Sequence, residues 1–228
     1  MKRSLVAVAF VVSGGAYAAD IELALGYDSK YLSEGRDNLD EGGIAWAEGV
    51  AAFDNGVALS LAYGYATDPN EDYDELNVGV EYGVELGDLS VYGSYTRLEF
   101  FEDGESDNEL GAGLLYGGLD WFEPFVDYVY SSEAKGSFVE MGIQREFELT
   151  ERVSLKPYVI AGLDYGYANP DHSGQNHMAV GAEIAFQLTE RLALTGLIEH
   201  TEAHRQVVRE EGIEQSHTWA GVHLVMRF

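Results

Sequence analysis

The chain has 228 residues, with 13 Lys and Arg against 40 Asp and Glu, for a net charge of −27. So acidic a surface repels a phosphate backbone, which excludes nucleic acid as a partner. There is no cysteine, so a secreted fold built from this chain is held without disulfides, as a barrel stabilised by strand closure is.

Residues 1–18 open with Lys2 and Arg3, continue through an apolar stretch from Leu5 to Val12, and end in Ala16-Tyr17-Ala18. This is the pattern of a secretory signal peptide, cleaved after Ala18 or one residue later, and it divides the chain into a leader (1–18) and one mature domain (19–228). The apolar stretch falls far short of the roughly 20 residues a transmembrane helix needs, and no other segment comes closer. Removing Lys2 and Arg3 leaves a mature net charge near −29.

Beyond the leader, turn signals and polar stretches alternate. Asp54-Asn55-Gly56, Gly87-Asp88, Gly117-Gly118, Thr150-Glu151-Arg152 and Thr189-Glu190-Arg191 read as short connections, the first with the Asn-Gly pair that supplies positive φ angles to a tight hairpin. Between them lie longer polar stretches at 30–42, 67–73, 102–108, 131–136, 169–176 and 205–215. Strict short/long alternation is the pattern of a transmembrane barrel, with short periplasmic turns and longer outer loops. The predicted strands are 20–29, 43–53, 57–66, 75–86, 89–101, 109–116, 119–130, 137–149, 153–167, 177–188, 192–204 and 216–228. The expected class is therefore all-β, a transmembrane antiparallel up-and-down β-barrel of about 12 strands in the bacterial outer membrane. Ten is the alternative count if two weaker hairpins are misread.

Strand facing follows from period two. Leu76, Val78, Val80, Tyr82, Val84 and Leu86 alternate with Glu75, Asn77, Gly79, Glu81, Gly83 and Glu85, and Met178 to Leu188 repeats the pattern. The fifth strand is ambiguous, because Arg97 and Glu99 share parity with Leu89 and Val91. Tyrosines gather at the outer ends of ascending strands (Tyr27, Tyr63, Tyr65, Tyr128, Tyr130, Tyr165, Tyr167), and Phe53, Tyr116, Phe147, Phe186 and Phe228 at the other rim, as interfacial girdles require. A soluble sandwich or lipocalin-like barrel would show the same alternation. The girdles, the turn pattern and the last strand decide for the membrane: Thr218, Ala220, Val222, Leu224, Met226 and Phe228 form one apolar face, and the final Phe228 resembles the signal by which barrel assembly machinery recognises outer-membrane proteins.

After the first strand comes Ser29-Lys30-Tyr31-Leu32-Ser33-Glu34-Gly35, then Arg36-Asp37-Asn38 and a second strand. Over residues 21–65 the chain resembles the TorF-type porin family of Gram-negative outer-membrane barrels, whose pattern is Ser-x-Tyr-x-x-Arg-Gly. Glu34 stands where the family has Arg, and Arg36 follows two positions later. The resemblance implies passive diffusion of small solutes and names no substrate.

The inward parity collects Glu22, Glu81, Glu85, Glu123, Asp127, Glu140, Glu146, Asp164 and Glu183, with Glu48 and Glu199, against Lys156, Arg227 and Arg97. Unpaired carboxylates in a dry interior would cost several kcal/mol each, so water must reach them. A wet, negative lumen attracts cations and repels anions. The lumen or selectivity set is therefore Glu81, Glu85, Glu123, Asp127, Glu140, Asp164, Glu183, Lys156 and Arg227, and the expected function is a porin-like, cation-preferring channel with no cofactor. Inward glycines either remove side chains that could plug the lumen, or bend the strands or make room for large neighbours. The partners expected are lipid and lipopolysaccharide, the assembly machinery, and small solutes or cations.

Two other classes stay open. All six histidines lie between His172 and His223, and His200, His204 and His217 at the outer rim form a candidate Zn²⁺ or Cu²⁺ set beside Glu199 or Glu202. A closed barrel with acidic loops (Glu34, Asp37, Asp40, Glu41; Asp68, Glu71, Asp72) would instead bind ions or a partner. An outer-membrane hydrolase would pair Ser131, Ser132, Ser173 or Ser216 with His200 or His217, but no nucleophile motif supports this.

Overall fold

Hydrocarbon offers no water to an unpaired peptide group, so a chain that crosses it in strands must close its sheet. The computed structural model describes residues 19–39 and 41–228. The expected leader and Asp40 lie outside the described residues. Twelve antiparallel strands form the wall: β1 (Ala19–Asp28), β2 (Ile44–Phe53), β3 (Val57–Ala66), β4 (Asp74–Leu86), β5 (Leu89–Phe100), β6 (Glu105–Tyr116), β7 (Glu123–Ser131), β8 (Ser137–Gln144, resuming as Phe147–Thr150), β9 (Val153–Tyr165), β10 (Ser173–Thr189), β11 (Leu192–Ala203) and β12 (Ser216–Arg227). Each pairs with the next in sequence, and β1 pairs with β12 from Glu22↔Arg227 to Asp28↔Gly221, so the sheet has no free edge.

Departures from the expected boundaries have local causes. The connection after β6 spans 117–122 rather than two glycines, because β7 starts at Glu123. The segment between carries Leu119, Trp121 and Phe122, with Trp121 81% exposed, an apolar tip suited to the lipid interface. β6 and β10 begin earlier than expected, at Glu105 and Ser173, since polar residues continue a ladder that rises clear of the bilayer. The interruption of β8 faces Pro157, which has no N–H to donate and only accepts, from Arg145. The polar stretch 205–215 holds a helix, α1 (Arg205–Glu211), with His204 as N-cap and Gly212 in the left-handed conformation as its stop.

The outer wall is apolar. Leu25, Leu61, Val78, Val80, Tyr82, Leu110, Val180, Ile198, Leu224 and Phe228 are among its exposed large hydrophobics. A water-soluble barrel would expose its polar face instead, so the wall identifies a bilayer-spanning barrel of the outer-membrane type. The ambiguous strand resolves here. Tyr95 and Arg97 face outward while Leu98 is buried inward, and Arg97 pairs with Glu99 at 2.7 Å and donates to Asn108 at 3.2 Å. Arg97 therefore belongs to the lipid-facing outer rim, which corrects its expected place in the lumen.

Two tests follow from this wall. Val80→Arg, at the centre of β4 on the lipid face, should lower unfolding free energy in vesicles by about 2–4 kcal/mol. Gly79→Ser, one residue away on the lumen face, should be mild, because the nearest atom to its new Cβ is the rotatable Ser60 hydroxyl. Deleting Phe228, whose N–H donates to Ile21 O at 2.9 Å and whose ring lies on the lipid side, should reduce outer-membrane assembly measured by heat-modifiable mobility. Arg227→Ala should reduce it less, since it breaks only an exposed ion pair with Glu22.

Candidate permeation pathway

Strand alternation turns one residue in two toward the barrel axis. β4 contributes Glu75, Gly79, Glu81 and Glu85; β7 contributes Glu123 and Asp127; β8 contributes Glu140; β9 contributes Lys156, Tyr158 and Asp164; β10 to β12 contribute Glu183, Glu199 and Arg227. The lumen or selectivity set expected from the sequence, from Glu81 to Glu183 with Lys156 and Arg227, lies on the inward parity, whereas Arg97 does not and Glu146 falls in the exposed break of β8.

Their partners separate them into roles. Asp127 accepts from the Tyr92 hydroxyl at 2.6 Å. Glu85 accepts from Ser90 at 2.7 Å, and Glu140 lies 3.7 Å from His177 Nε2. Glu183 pairs with Lys156 at 3.4 Å, Glu22 with Arg227 at 2.8 Å, and Glu123 with Arg145 at the periplasmic rim at 3.1 Å. Asp164 is different: its carboxylate accepts from the backbone N–H groups of Tyr167, Ala168 and Asn169, at 2.7, 3.2 and 3.0 Å. It holds the β9–β10 loop in shape, a structural task parity alone does not reveal.

Sequence reasoning missed the aromatic partners of these carboxylates. Tyr158 donates to Glu199 at 2.7 Å, and Trp219 Nε1 donates to the same side chain at 3.1 Å. Tyr167 donates to Glu109, and Tyr73 and Tyr31 both donate to Glu75, the latter at 2.7 Å. Parity carried the signal for Tyr158 and Trp219, which share the inward face with Glu199, but not for Tyr31, Tyr73 and Tyr167, which lie outside the strands; Tyr167, expected in the outer girdle, is instead buried against Glu109.

The first outer loop, residues 29–43, is the other element of the pathway. Leu32–Ser33 pairs with Arg36–Asp37 in a small hairpin whose two turn residues, Glu34 (φ 46°) and Gly35 (φ 76°), are both left-handed, the geometry of a tight hairpin turn. Lys30 braces it through Asp37 at 2.6 Å. The hairpin bends inward. Tyr31 packs on Trp46 and Tyr73, with ring centroids 5.6 and 5.7 Å apart, and bonds Glu75 on β4. At its far end Gly35 abuts His177 on β10, and Arg36 donates to Ala168 O at 3.3 Å. In a ring of twelve, β4 and β10 are diametrically opposed, so the loop crosses the outer mouth. The family-like Ser-x-Tyr-x-x-x-Gly stretch is thus the sequence of this strap: Tyr31 is its anchor and Gly35 its turn.

The rim around the strap is strongly negative. Beside Asp72, the Glu102 carboxyl is raised above its ordinary value by that like charge. The candidate metal histidines do not converge. His200 faces outward and accepts from or donates to Thr218 at 2.8 Å, His204 caps α1, and His217 is buried on the inward side. Among the described residues no group of three or more His, Cys, Asp or Glu is arranged to hold a metal ion, which corrects the expected rim site. Of the candidate nucleophiles, Ser131 and Ser132 both donate to Asp107.

Gly35→Ala forces a side chain into the left-handed region and against His177 Cβ, 2.6 Å away. It should destabilise the strap by about 1 kcal/mol or more. Trypsin cleavage after Arg36 in the intact barrel should accelerate accordingly, with the wall unaffected.

No protein-family model matches the chain, and no curated protein matches it. Solved structures do. The KdgM porin aligns at TM-score 0.63 with 10% identity, covering 91% of this chain and 99% of that one, and is also known in complex with disordered oligogalacturonate. The NanC porin aligns at 0.58 with 12% identity, over 91% and 100%. LpxR from Salmonella typhimurium aligns at 0.57 with 9% identity, over 91% and 100%. At such identities the likeness is one of fold: this chain is a closed twelve-stranded antiparallel barrel of the kind outer-membrane porins use.

Proposed function

We propose that the barrel is an outer-membrane channel for passive diffusion of small solutes, with a preference for cations and no catalytic role. The observation that carries this reading is the charge balance of the inward face. Among the described strand residues on that parity the cations are Lys156 and Arg227, each already paired with a glutamate. Glu81, Glu85, Asp127 and Glu199 add further negative charge to this face. Such a lumen concentrates cations and repels anions. The porin fold and the Tyr31-to-Gly35 resemblance to TorF-type porins support the channel half of the proposal.

The same charge argues against carrying over the ligand of a structural neighbour. An oligogalacturonate is a polyanion, and a polyanion entering this lumen would meet carboxylates of its own sign. Outside the barrel, the Arg97–Glu99–Asn108 patch stands on the lipid face near the outer rim, where it suits the phosphates and sugars of lipopolysaccharide. One observation favours a second reading, a closed barrel with a scaffolding or ion-binding role: the strap that crosses the outer mouth. Conductance separates the two.

Refolded mature chain in a planar bilayer should conduct, and its reversal potential in a KCl gradient should report K⁺ over Cl⁻. Replacing Glu81, Glu85, Glu140 and Glu183 by Gln keeps size and hydrogen bonding, removes four charges and leaves Lys156 unpaired, so selectivity should collapse toward neutral. Raising salt from 0.1 to 1 M should weaken wild-type preference, because the Debye length falls from about 10 to about 3 Å. A silent wild type would place the closed scaffold ahead.

A further inference from the structure

The lumen wall repeats one arrangement of three residues. Tyr92 on β5, Gly113 on β6 and Asp127 on β7 are direct ladder neighbours, and so are Tyr158 on β9, Gly181 on β10 and Glu199 on β11. In both, the tyrosine lies across the glycine and its hydroxyl reaches the carboxylate beyond, at 2.6 and 2.7 Å. A Cβ on Gly113 would collide with the Tyr92 ring and Asp127 Oδ1, and one on Gly181 with the Tyr158 ring. Glycine is therefore what lets the ring lie flat. Both tyrosines stand on the inward parity, so their rings lie along the lumen side of the wall. Trp219, next to Glu199 in the ladder, adds an indole whose N–H is tied to the same carboxylate.

A fixed carboxylate beside a lumen-facing aromatic ring is a recognition element for a particular class of solute. A bare alkali ion gains from the charge alone. An alkylammonium ion gains from the charge, donates N–H to the carboxylate, and lays its cationic head or adjoining methylenes on the ring. The two trios sit four strands apart on the same tilted wall, which provides successive contacts for a linear molecule.

We propose, building on the cation-channel reading, that the solutes this lumen favours are organic ammonium ions, in particular linear diamines and polyamines, held by the Tyr92–Asp127 and Tyr158–Glu199–Trp219 sites. The test is block of KCl current through single channels by putrescine, with Mg²⁺ as the charge-matched comparison. Wild type should be blocked by putrescine at lower concentration than by Mg²⁺. Removing both rings, Tyr92→Leu with Tyr158→Leu, should raise the putrescine blocking concentration about four- to twenty-five-fold, since each ring contributes roughly a two- to five-fold preference. Block by Mg²⁺ in the same variant should shift less than block by putrescine. The Tyr→Phe pair keeps the rings and should retain most of the block. Equal block by putrescine and Mg²⁺ in wild type, which needs no variant to fold, overturns the inference and leaves the channel standing. So does putrescine block unchanged by the double Leu substitution. Absence of any KCl conductance overturns the channel reading and this inference together.

Discussion

Closure of the sheet between β1 and β12 is the constraint on which everything else depends. Each peptide group in the hydrocarbon must find its partner on a neighbouring strand, because an unsatisfied one costs several kcal/mol there. The seam meets that demand from Glu22↔Arg227 to Asp28↔Gly221, and the Phe228 N–H extends it to Ile21 O. Once the ring is closed, side chains have two destinations only. Apolar residues must face lipid, and charge has nowhere to go but inward. The acidic lumen is thus a consequence of putting an acidic chain through a membrane, shaped afterward by which carboxylates acquire partners.

Glycine determines that shaping. Tilted strands bring inward residues into diagonal rows, and one row runs Tyr92, Gly113, Asp127, Glu140, Gly162, His177 across six strands. The rings of Tyr92 and His177 each fold over the adjacent glycine, and those of Phe125, Tyr158, Trp46 and His223 do the same over Gly142, Gly181, Gly64 and Gly26. Of the readings of inward glycine, accommodation of large neighbours is the one these six positions show: the missing side chain is filled by a ring laid along the wall.

Much of this was legible in advance because period two is a strong signal where lipid and water lie on opposite sides of one strand. Strand count, direction and facing of β4, β10 and β12 follow from alternation alone, and Asn55-Gly56 marks its hairpin. Where alternation fails, so did the reading. Arg97 and Glu99 share parity with Val91 because the upper end of β5 has left the hydrocarbon, where charge on the outer face is no longer costly. The strap could not be anticipated, since nothing local in residues 29–43 says that Tyr31 will find Glu75 on β4. The rim histidines misled for a related reason: spacing along a strand does not say which side of the wall His200 and His217 occupy. The leader reading concerns residues beyond those described.

The strap also alters what kind of molecule the mouth admits. A chord fixed at β4 through Tyr31–Glu75, at β10 through Gly35 and at the β9–β10 loop through Arg36 divides the outer opening. Area then matters less than shape. In the proposed channel a slender chain would thread a gap end-on, whereas a compact branched molecule of equal mass would have to present its full width. If the barrel conducts as proposed, its outer mouth would select on cross-section before the lumen selects on charge.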